Sequence, residues 1–408
     1  MRVLITDGNE RVSLAAARSL VRAGHSVVVT APTRWSLAGV SRGVTSHPLA
    51  VDPLINPAGY VTELGRIGRE QRTDILLATT DGSLEAVLEH RTKLPRDLQV
   101  PGPDLASYRA ASNKWRILQL AAACGFGTPE TRVLEAAGAQ SGRDLADLLP
   151  AFIKPHRSIV SGLEQRRKLA VIPVTTVAAC DAVLSALPPE AYPVLVQRQV
   201  SGAGEGIFAL RWAGRIIALF AHRRLREKPP SGGVSVYRES IRLTDELAHA
   251  AGQMLEALDW QGVAMIECKR DPQTGRPIVM EVNGRLWGSL QLAIDAGVDF
   301  PALLVRCAAG ERVPAVRDYR TGVRSRWFWG DVDNLLLRLR ADAGVGAVLD
   351  FLRTSVSRSR NEIWRWTDPL PSLVETLQWF GLLTRNTAGA KPKSTVAPRE
   401  CVPDSAVR

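Results

Sequence analysis

Residues 266–285 read IECKRDPQTGRPIVMEVNGR, and the spacing inside this stretch decides the fold. Residues 262–268 and 277–282 are short apolar runs separated by the turn DPQTGR; the pattern predicts two strands joined as a hairpin-like pair. Glu281 and Asn283 lie two apart, so on one strand their side chains leave the same face. Glu267 on the paired strand reaches that face too. Three oxygen donors on adjacent strands suit a hard cation, since Mg²⁺ takes oxygen ligands and completes its shell with water and phosphates. Arg285 follows two residues on, where a guanidinium can meet a phosphoryl group or an acyl phosphate. The plain alternative is a surface hairpin whose polar residues face water. Two glutamates alone would favour that reading; Asn283 and Arg285 in phase with them favour a site.

Upstream stretches supply cations and glycines. Lys114 opens the helical run ASNKWRILQLAAACG, and Lys154 follows an apolar strand in AFIKPH. A lysine at either place is a point charge suited to phosphate oxygens, although each taken alone reads as a solvated surface lysine. In LVQRQVSGAGEGIFAL, residues 195–210, a strand runs into a segment with Gln197, Gly202, Gly204 and Gly206 that can offer backbone groups to a base edge. Glu205 can accept from a ribose hydroxyl; the plain reading is a glycine turn. In HRRLREKPPSGGVSVYRES, residues 222–240, Arg223, Arg224, Arg226 and Lys228 precede Ser231-Gly232-Gly233. Free N–H groups of small residues beside cations predict a flexible anion-binding lid, against a merely basic exposed loop.

The first hundred residues alternate strand and helix. RVLIT at 2–6, Val27–Thr30 and Ile75–Ala78 are continuous apolar strands, and a helical period through Leu14, Ala17, Leu20 and Val21 ends at Gly24. That pattern argues a parallel α/β sheet covered on both faces, ending near the linker Pro101-Gly102-Pro103. Its first turn is DGNERVS, without the GxGxxG of a dinucleotide fingerprint. A helical period from Tyr108 to Ala123, short strands near 152–154, 194–197, 207–210 and 216–220, and a helix over about 247–258 make an α+β middle. Beyond residue 310, RWFWGDVDNLLLRLR is amphipathic and DPLPSLVETLQWF predicts a helix after its prolines. From about Asn386 apolar residues thin out, which predicts a disordered tail.

The 408-residue chain is 45% hydrophobic, enough for a buried core, and too long for a single one. Its net charge of +11 favours anionic partners. The basic residues are mostly isolated arginines and no nucleic-acid-binding motif appears, so phosphorylated small molecules are expected rather than nucleic acid. The five cysteines form no CxxC pair, as in a reduced cytoplasmic protein. MRVLITDGNE enters a strand directly, with no leader pattern, and no apolar run reaches the ~18 residues of a membrane span.

Taken in order, the helix-initial Lys114, the strand Lys154 before Pro155, the segment after 194–197, the glycine-rich lid, Glu267 and the Glu281-x-Asn283-x-Arg285 run resemble the ATP-grasp superfamily over about 200 residues. The resemblance implies an α/β protein: a Rossmann-like domain at 1–105, an ATP-grasp α+β nucleotide-binding and catalytic domain at 106–310, a mixed, largely helical C-terminal extension at 311–385, and the tail at 386–408. It implies that Lys114 and Lys154 contact ATP phosphates. The 196–199 segment (Gln197, Arg198 and Gln199, with Val200 beyond) would hold adenine, and Ser231, Gly232 and Gly233 would close over the nucleotide. Glu267, Glu281 and Asn283 would ligate Mg²⁺, or Mn²⁺ in its place, with Arg285 and Lys154 catalytic. The implied reaction is ATP-dependent ligation: a carboxylate takes the γ-phosphoryl group, and an amine, or another nucleophile such as a thiol, displaces phosphate. Relatives that form carboxyphosphate or act as kinases, and a nucleotide-binding module without turnover, are the other readings. This sequence departs from the family in Gln197-Arg198-Gln199, where an acidic residue is common. Residues past 310 have no place in the motif set, and close the substrate site or make a homo-oligomer contact.

Overall fold

The strands of the first unit have no polar face to spare, and this fixes its layers. In a computed structural model, which describes residues 1–157, 159–161, 166–341, 344–355 and 358–382, β1 (Arg2–Ile5), α1 (Arg11–Arg22), β2 (Ser26–Ala31), β3 (Val44–Pro48), α2 (Pro57–Glu70), β4 (Ile75–Leu77) and α3 (Asp81–Glu89) follow one another. The strands form a parallel sheet in the order β3-β2-β1-β4. Val3, Ile5, Val27 and Val29 pack against Leu14, Ala17 and Leu20 of α1. Leu4, Val28 and Leu76 pack against Val61, Leu64 and Ile67 of α2. Covered on both sides, the strands read as continuous apolar runs. The half-exposed edge strand β3 has no such run, and it escapes a reading by pattern. So does α2, started by Pro57 and capped by Asn56.

One expected helix is two. α4 (Leu105–Ser112) ends at Asn113, whose backbone leaves the helical region (φ −81°, ψ 103°) and whose side chain accepts from the Arg116 N–H to start α5 (Lys114–Ala123). Asparagine competes with the helix for its own backbone and so favours caps. The break makes Lys114 the first residue of α5.

The middle of the chain carries β5 (Thr131–Leu134), β6 (Ala151–Pro155), β7 (Ile159–Ser161), β8 (Arg166–Lys168), β9 (Ile172–Val174), α6 (Val177–Ala186) and β10 (Val194–Arg198). β5-β10-β6-β9 is an antiparallel sheet, and β7-β8 a separate hairpin. There follow β11 (Gly204–Trp212), β12 (Arg215–Lys228), β13 (Val234–Ser240), α7 (Asp245–Ala257), β14 (Gly262–Arg270), β15 (Pro277–Asn283), α8 (Leu290–Ala296) and α9 (Phe300–Ala308). The C-terminal stretch supplies β16 (Arg324–Arg326), α10 (Phe328–Arg340), α11 (Gly344–Ser355), β17 (Arg360–Asn361) and α12 (Leu370–Trp379). Among the described residues the large sheet runs β15-β14-β11-β12-β13-β16-β17, so two strands of that stretch continue it. One face, with Ile207, Ala209, Ala264 and Ile266, packs on α4, α5 and α7. The other, with Phe208, Leu210, Val263 and Met265, shares a core with α1, α8 and α9. That shared core joins the first unit to the large sheet.

The expected lid is mostly strand. β12 continues through Lys228 and β13 restarts at Val234, so Arg223, Arg224, Arg226 and Lys228 lie in a ladder and only 229–233 turn. Their charges are held by distant residues: Arg226 by Asp331 at 3.1 Å, and Lys228 by Asp333, both on α10. No helix among the described residues is long and apolar enough to cross a membrane. The tail expected from Asn386 onward, and Cys401 within it, lie outside the described residues.

The loop after β17 fastens the C-terminal stretch to α1. Asp368 accepts from Arg18 Nε at 2.8 Å, Ser41 Oγ at 2.5 Å and the Arg42 N–H at 3.1 Å. Arg18 and Asp368 are nearly buried, so removing one partner strands the other. Asp368→Ala is expected to destabilise the protein by about 3 kcal/mol, read from the urea midpoint, with Asp368→Asn costing less because it keeps acceptor oxygen in place. Equal midpoints for wild type and Asp368→Ala would dismiss the fastening.

Candidate active site

Strand register assembles the first half of the site. Glu267 pairs with Glu281 across β14 and β15, and Met265 with Asn283; directly opposed residues share a face. Glu267, Glu281 and Asn283 therefore stand on the same side of the sheet, with the Asn283 amide donating to Glu281 Oε1 at 3.2 Å. Two carboxylates so close repel each other and need cations. Arg224 Nη2 lies 2.7 Å from Glu267 Oε2, and Lys114 Nζ 3.7 Å from Glu281 Oε2. Burial opposes ionisation of Glu281, but Lys114 and Lys154 outweigh it and hold its pKa below the usual carboxylate range. At Glu267 burial wins: its pKa is raised, with Glu281 adding to the rise and Arg224 opposing it.

The smaller sheet brings the second half. Lys154 stands opposite Leu195 in the β6–β10 ladder, and its ammonium donates to Gln197 Oε1 at 2.5 Å. Burial pushes the lysine's pKa down to about 8, against the pull of Glu281 and with a further push from Lys114. Glu281 and Lys114 are thus near enough to Lys154 to act on its charge. Lys269, two residues past Glu267, donates to the Val200 carbonyl at 3.0 Å and so ties β14 to the segment leaving β10.

Arg285 grips Asp81 with two parallel hydrogen bonds of 2.9 Å each, and its Nη2 is 3.4 Å from Asn283 Oδ1. Asp81 starts α3 at the carboxyl end of β4, the end of a parallel sheet where ligands bind. This pair links the first unit to the acidic strands.

Lys114, Lys154, Gln197, Glu267, Glu281, Asn283 and Arg285 are thus brought together; most other candidates are not. Arg198 turns outward to Glu130 at 2.8 Å and to the Asp147 carbonyl at 2.7 Å. Gln199 is exposed. The N–H groups of Arg198 and Gln199 are taken by the carbonyls of Glu130 and Pro150, so neither is left for a base edge. Val200 contributes its carbonyl to Lys269. Glu205 is clasped by Arg270 at 2.5 Å. Ser231, Gly232 and Gly233 form the tip of the β12–β13 hairpin; Gly233 accepts from Arg224 Nη1 at 3.2 Å and, unlike the other two, lines the cavity beside the acidic pair.

Residues that pattern did not single out complete the walls. Arg224 was visible only as one cation among four, and Asp81 as part of a polar turn after a strand. His222, Ser235, Arg238 and Trp287 carry no spacing signal. Two cavities flank Arg285–Asp81. One, of about 330 Å³, is lined by Glu267, Glu281, Asn283 and Arg285 together with Arg224, Arg238 and Trp287. The other, of about 240 Å³, lies at the carboxyl ends of β1, β2 and β4 and is lined by Asp7, Glu10, Asp52 and Asp81 over Leu49, Leu54 and Tyr60.

Two carboxylates and an amide are an all-oxygen set with few protein ligands, which suits Mg²⁺ better than a soft metal. Among the described residues no three or more His, Cys, Asp or Glu side chains gather as a metal cage.

Residues 190–330 match the model of a family described as ATP-grasp in the biosynthetic pathway with Ter operon. No curated protein matches the chain by sequence. An L-amino acid ligase from Bacillus licheniformis superposes with a TM-score of 0.59 at 18% identity, over 79% of this chain and 78% of that one. A biotin carboxylase from Campylobacter jejuni, in a β,γ-ATP complex, gives 0.60 at 12% identity over 79% and 74%. The ADP complex of purK, an N5-carboxyaminoimidazole ribonucleotide synthetase, gives 0.59 at 12% identity over 79% and 80%. At such identities these are likenesses of fold, and they agree with the matched segment: residues 190–330 match an ATP-grasp family, and the chain has the fold of ATP-grasp proteins.

Proposed function

We propose that the protein is an ATP-dependent ligase that activates a carboxylate as its acyl phosphate and joins it to an amine. One observation carries this reading: lysines from a helix start and a small sheet, and an acidic pair from a large sheet, converge on one cleft. Lys114 and Lys154 would hold the polyphosphate as point charges. Glu267, Glu281 and Asn283 would hold Mg²⁺, which when bound supplies positive charge to phosphoryl oxygens. Arg285 faces the same place and would stabilise charge that grows on the transferred group.

In the first step a carboxylate oxygen attacks the γ-phosphorus, the bond to the β-phosphate oxygen breaks, and ADP leaves. In the second the amine, having given up its ammonium proton to free the lone pair, attacks the acyl carbon, orthophosphate leaves with the C–O bonding pair, and the nitrogen loses a second proton to water. The two flanking cavities support this division. The arginine-walled one suits an acid, and the aspartate-lined one suits a protonated amine. Arg285 and Asp81 sit where the two would meet.

Glu281→Gln is expected to cut acid-dependent ADP formation by roughly 10²-fold or more, the scale for losing one preorganised electrostatic group, with the circular dichroism unchanged. A wild-type rate would end the metal assignment. Orthophosphate release that requires both acid and amine supports ligation; release with acid alone supports a phosphoryl transferase, and nucleotide binding without ADP formation supports a binding module.

Lys154 sets a pH dependence. Polyphosphate favours the protonated amine, and in the free protein that proton is lost as pH rises through about 8. ATP affinity is therefore expected to begin falling as pH approaches 8 and to fall about fivefold from pH 8 to 9, as one proton is lost. In Lys154→Met it should be weaker and flat over that range. Nucleotide titrations at stepped pH decide this, and identical profiles for the two proteins would refute the role of Lys154.

A further inference from the structure

The cavity of about 330 Å³ on the Phe208–Met265 face of the large sheet contains more unmet hydrogen-bonding capacity than a site for one carboxylate requires. Ser240, His222, Gly206, Glu267 and Glu281 form a row across five strands, each opposite the next. The acidic pair ends this row, so whatever occupies the cavity lies along the sheet beside the proposed phosphoryl-transfer centre. Gly206 keeps the row open in its middle. A Cβ there would sit 2.5 Å from the Phe208 ring and 3.2 Å from His222 Nε2, closer than packed atoms allow.

Around this floor stand buried polar groups with no hydrogen-bond partner among the described residues: both ring nitrogens of His222, Arg224 Nε, Arg238 Nε, Ser235 Oγ and Trp287 Nε1. His222, Arg238 and Trp287 are at most 1% exposed. Native proteins rarely leave such groups unpaired, because each has lost its water for nothing. Arginine and tryptophan N–H groups can only donate, and serine can donate. Burial, with Arg224 and Arg238 nearby, holds the His222 pKa well below its ordinary value, so its ring is neutral and offers one donor and one acceptor. The set asks for acceptors.

We infer that this cavity holds the acid substrate and selects one with a second carboxylate, a small dicarboxylic acid or acidic amino acid, over a monocarboxylate or bicarbonate. The inference rests on the ligase reading. The reacting carboxylate must lie at Glu281 and Arg285, where phosphoryl transfer would occur, and it cannot also reach the donors at the far wall. A second carboxylate has two oxygens and about four lone-pair sites, enough for most of the five donors offered by Trp287, Ser235, His222 and the two arginine Nε groups. Bicarbonate would leave those donors dry and unpaired and most of the volume unused. Arg238 is held from behind by Glu362, which also pairs with Arg11, so its free Nε is fixed in place for a ligand.

The test is calorimetric titration of the full chain, saturated with Mg²⁺ and a non-hydrolysable ATP analogue, with succinate and glutarate against butyrate, valerate and bicarbonate. Either diacid is expected to bind at least tenfold more tightly than the monoacid of equal chain length. Trp287→Phe, which removes the N–H and keeps a ring, is expected to weaken diacid binding at least fivefold and to leave monoacid and nucleotide affinities unchanged. Because Trp287 is also core, Ser235→Ala provides the second reading, with a loss of at least threefold confined to diacids. Nucleotide binding with no preference for diacids, or diacid binding unmoved in both variants, overturns this inference and leaves the ligase reading standing. No binding of the nucleotide itself overturns the ligase reading and this inference with it.

Discussion

Two glutamates facing each other across an antiparallel pair govern this structure. The β14–β15 register places Glu267 against Glu281, and burial makes their mutual repulsion costly. Cations answer it from four directions: Arg224 on β12, Lys114 at the start of α5, Lys154 on the smaller sheet, and Arg285 after β15. Each of these charges is itself desolvated. The acids and the bases can be buried only together, so the elements that carry them must close on one another.

That mutual dependence explains how remote segments are recruited. Arg285 holds Asp81 of the first unit, and Arg238 and Arg11 share Glu362 from the C-terminal stretch. Arg226 and Lys228, on the strand that presents Arg224, are held by Asp331 and Asp333 of α10. Much of the basic character of the chain is used this way, inside ion pairs that orient strands, rather than on a surface. The cavity beside the acids is an exception. There several buried donors keep no protein partner, and buried polar groups left so are where a ligand belongs.

Legibility in the sequence followed the range of the interaction. The hairpin around DPQTGR is readable because alternation and turn chemistry act over a few residues, and β14 and β15 lie where the pattern puts them. Lys114 opens a helix as its pattern suggests, while the break before it escapes the pattern: a single Asn113 ends one helix and caps the next, which a window of helical periodicity averages away. The basic stretch 222–228 looked like a lid because four cations and two glycines suggest a loop. It is strand because Asp331 and Asp333, about a hundred residues later, neutralise two of those cations. In the segment 196–199, expected to offer backbone groups to a base edge, the N–H groups of Arg198 and Gln199 pair with the carbonyls of Glu130 and Pro150, partners that no local pattern reveals.

The sequence by itself determined the local geometry: which residues alternate on a strand, where turns and caps fall, and that Glu267, Glu281 and Asn283 would share one face. Such features depend on backbone stereochemistry and on neighbours within a few positions. Only the tertiary structure decided which charges meet, because Lys154, Asp81 and Arg224 come to the acidic strands from separate sheets and units and nothing in their spacing encodes the encounter. The walls of the cavity are likewise tertiary. His222, Ser235, Arg238 and Trp287 are unremarkable in the chain and become a site only when folding strips them of water on the same side of one sheet.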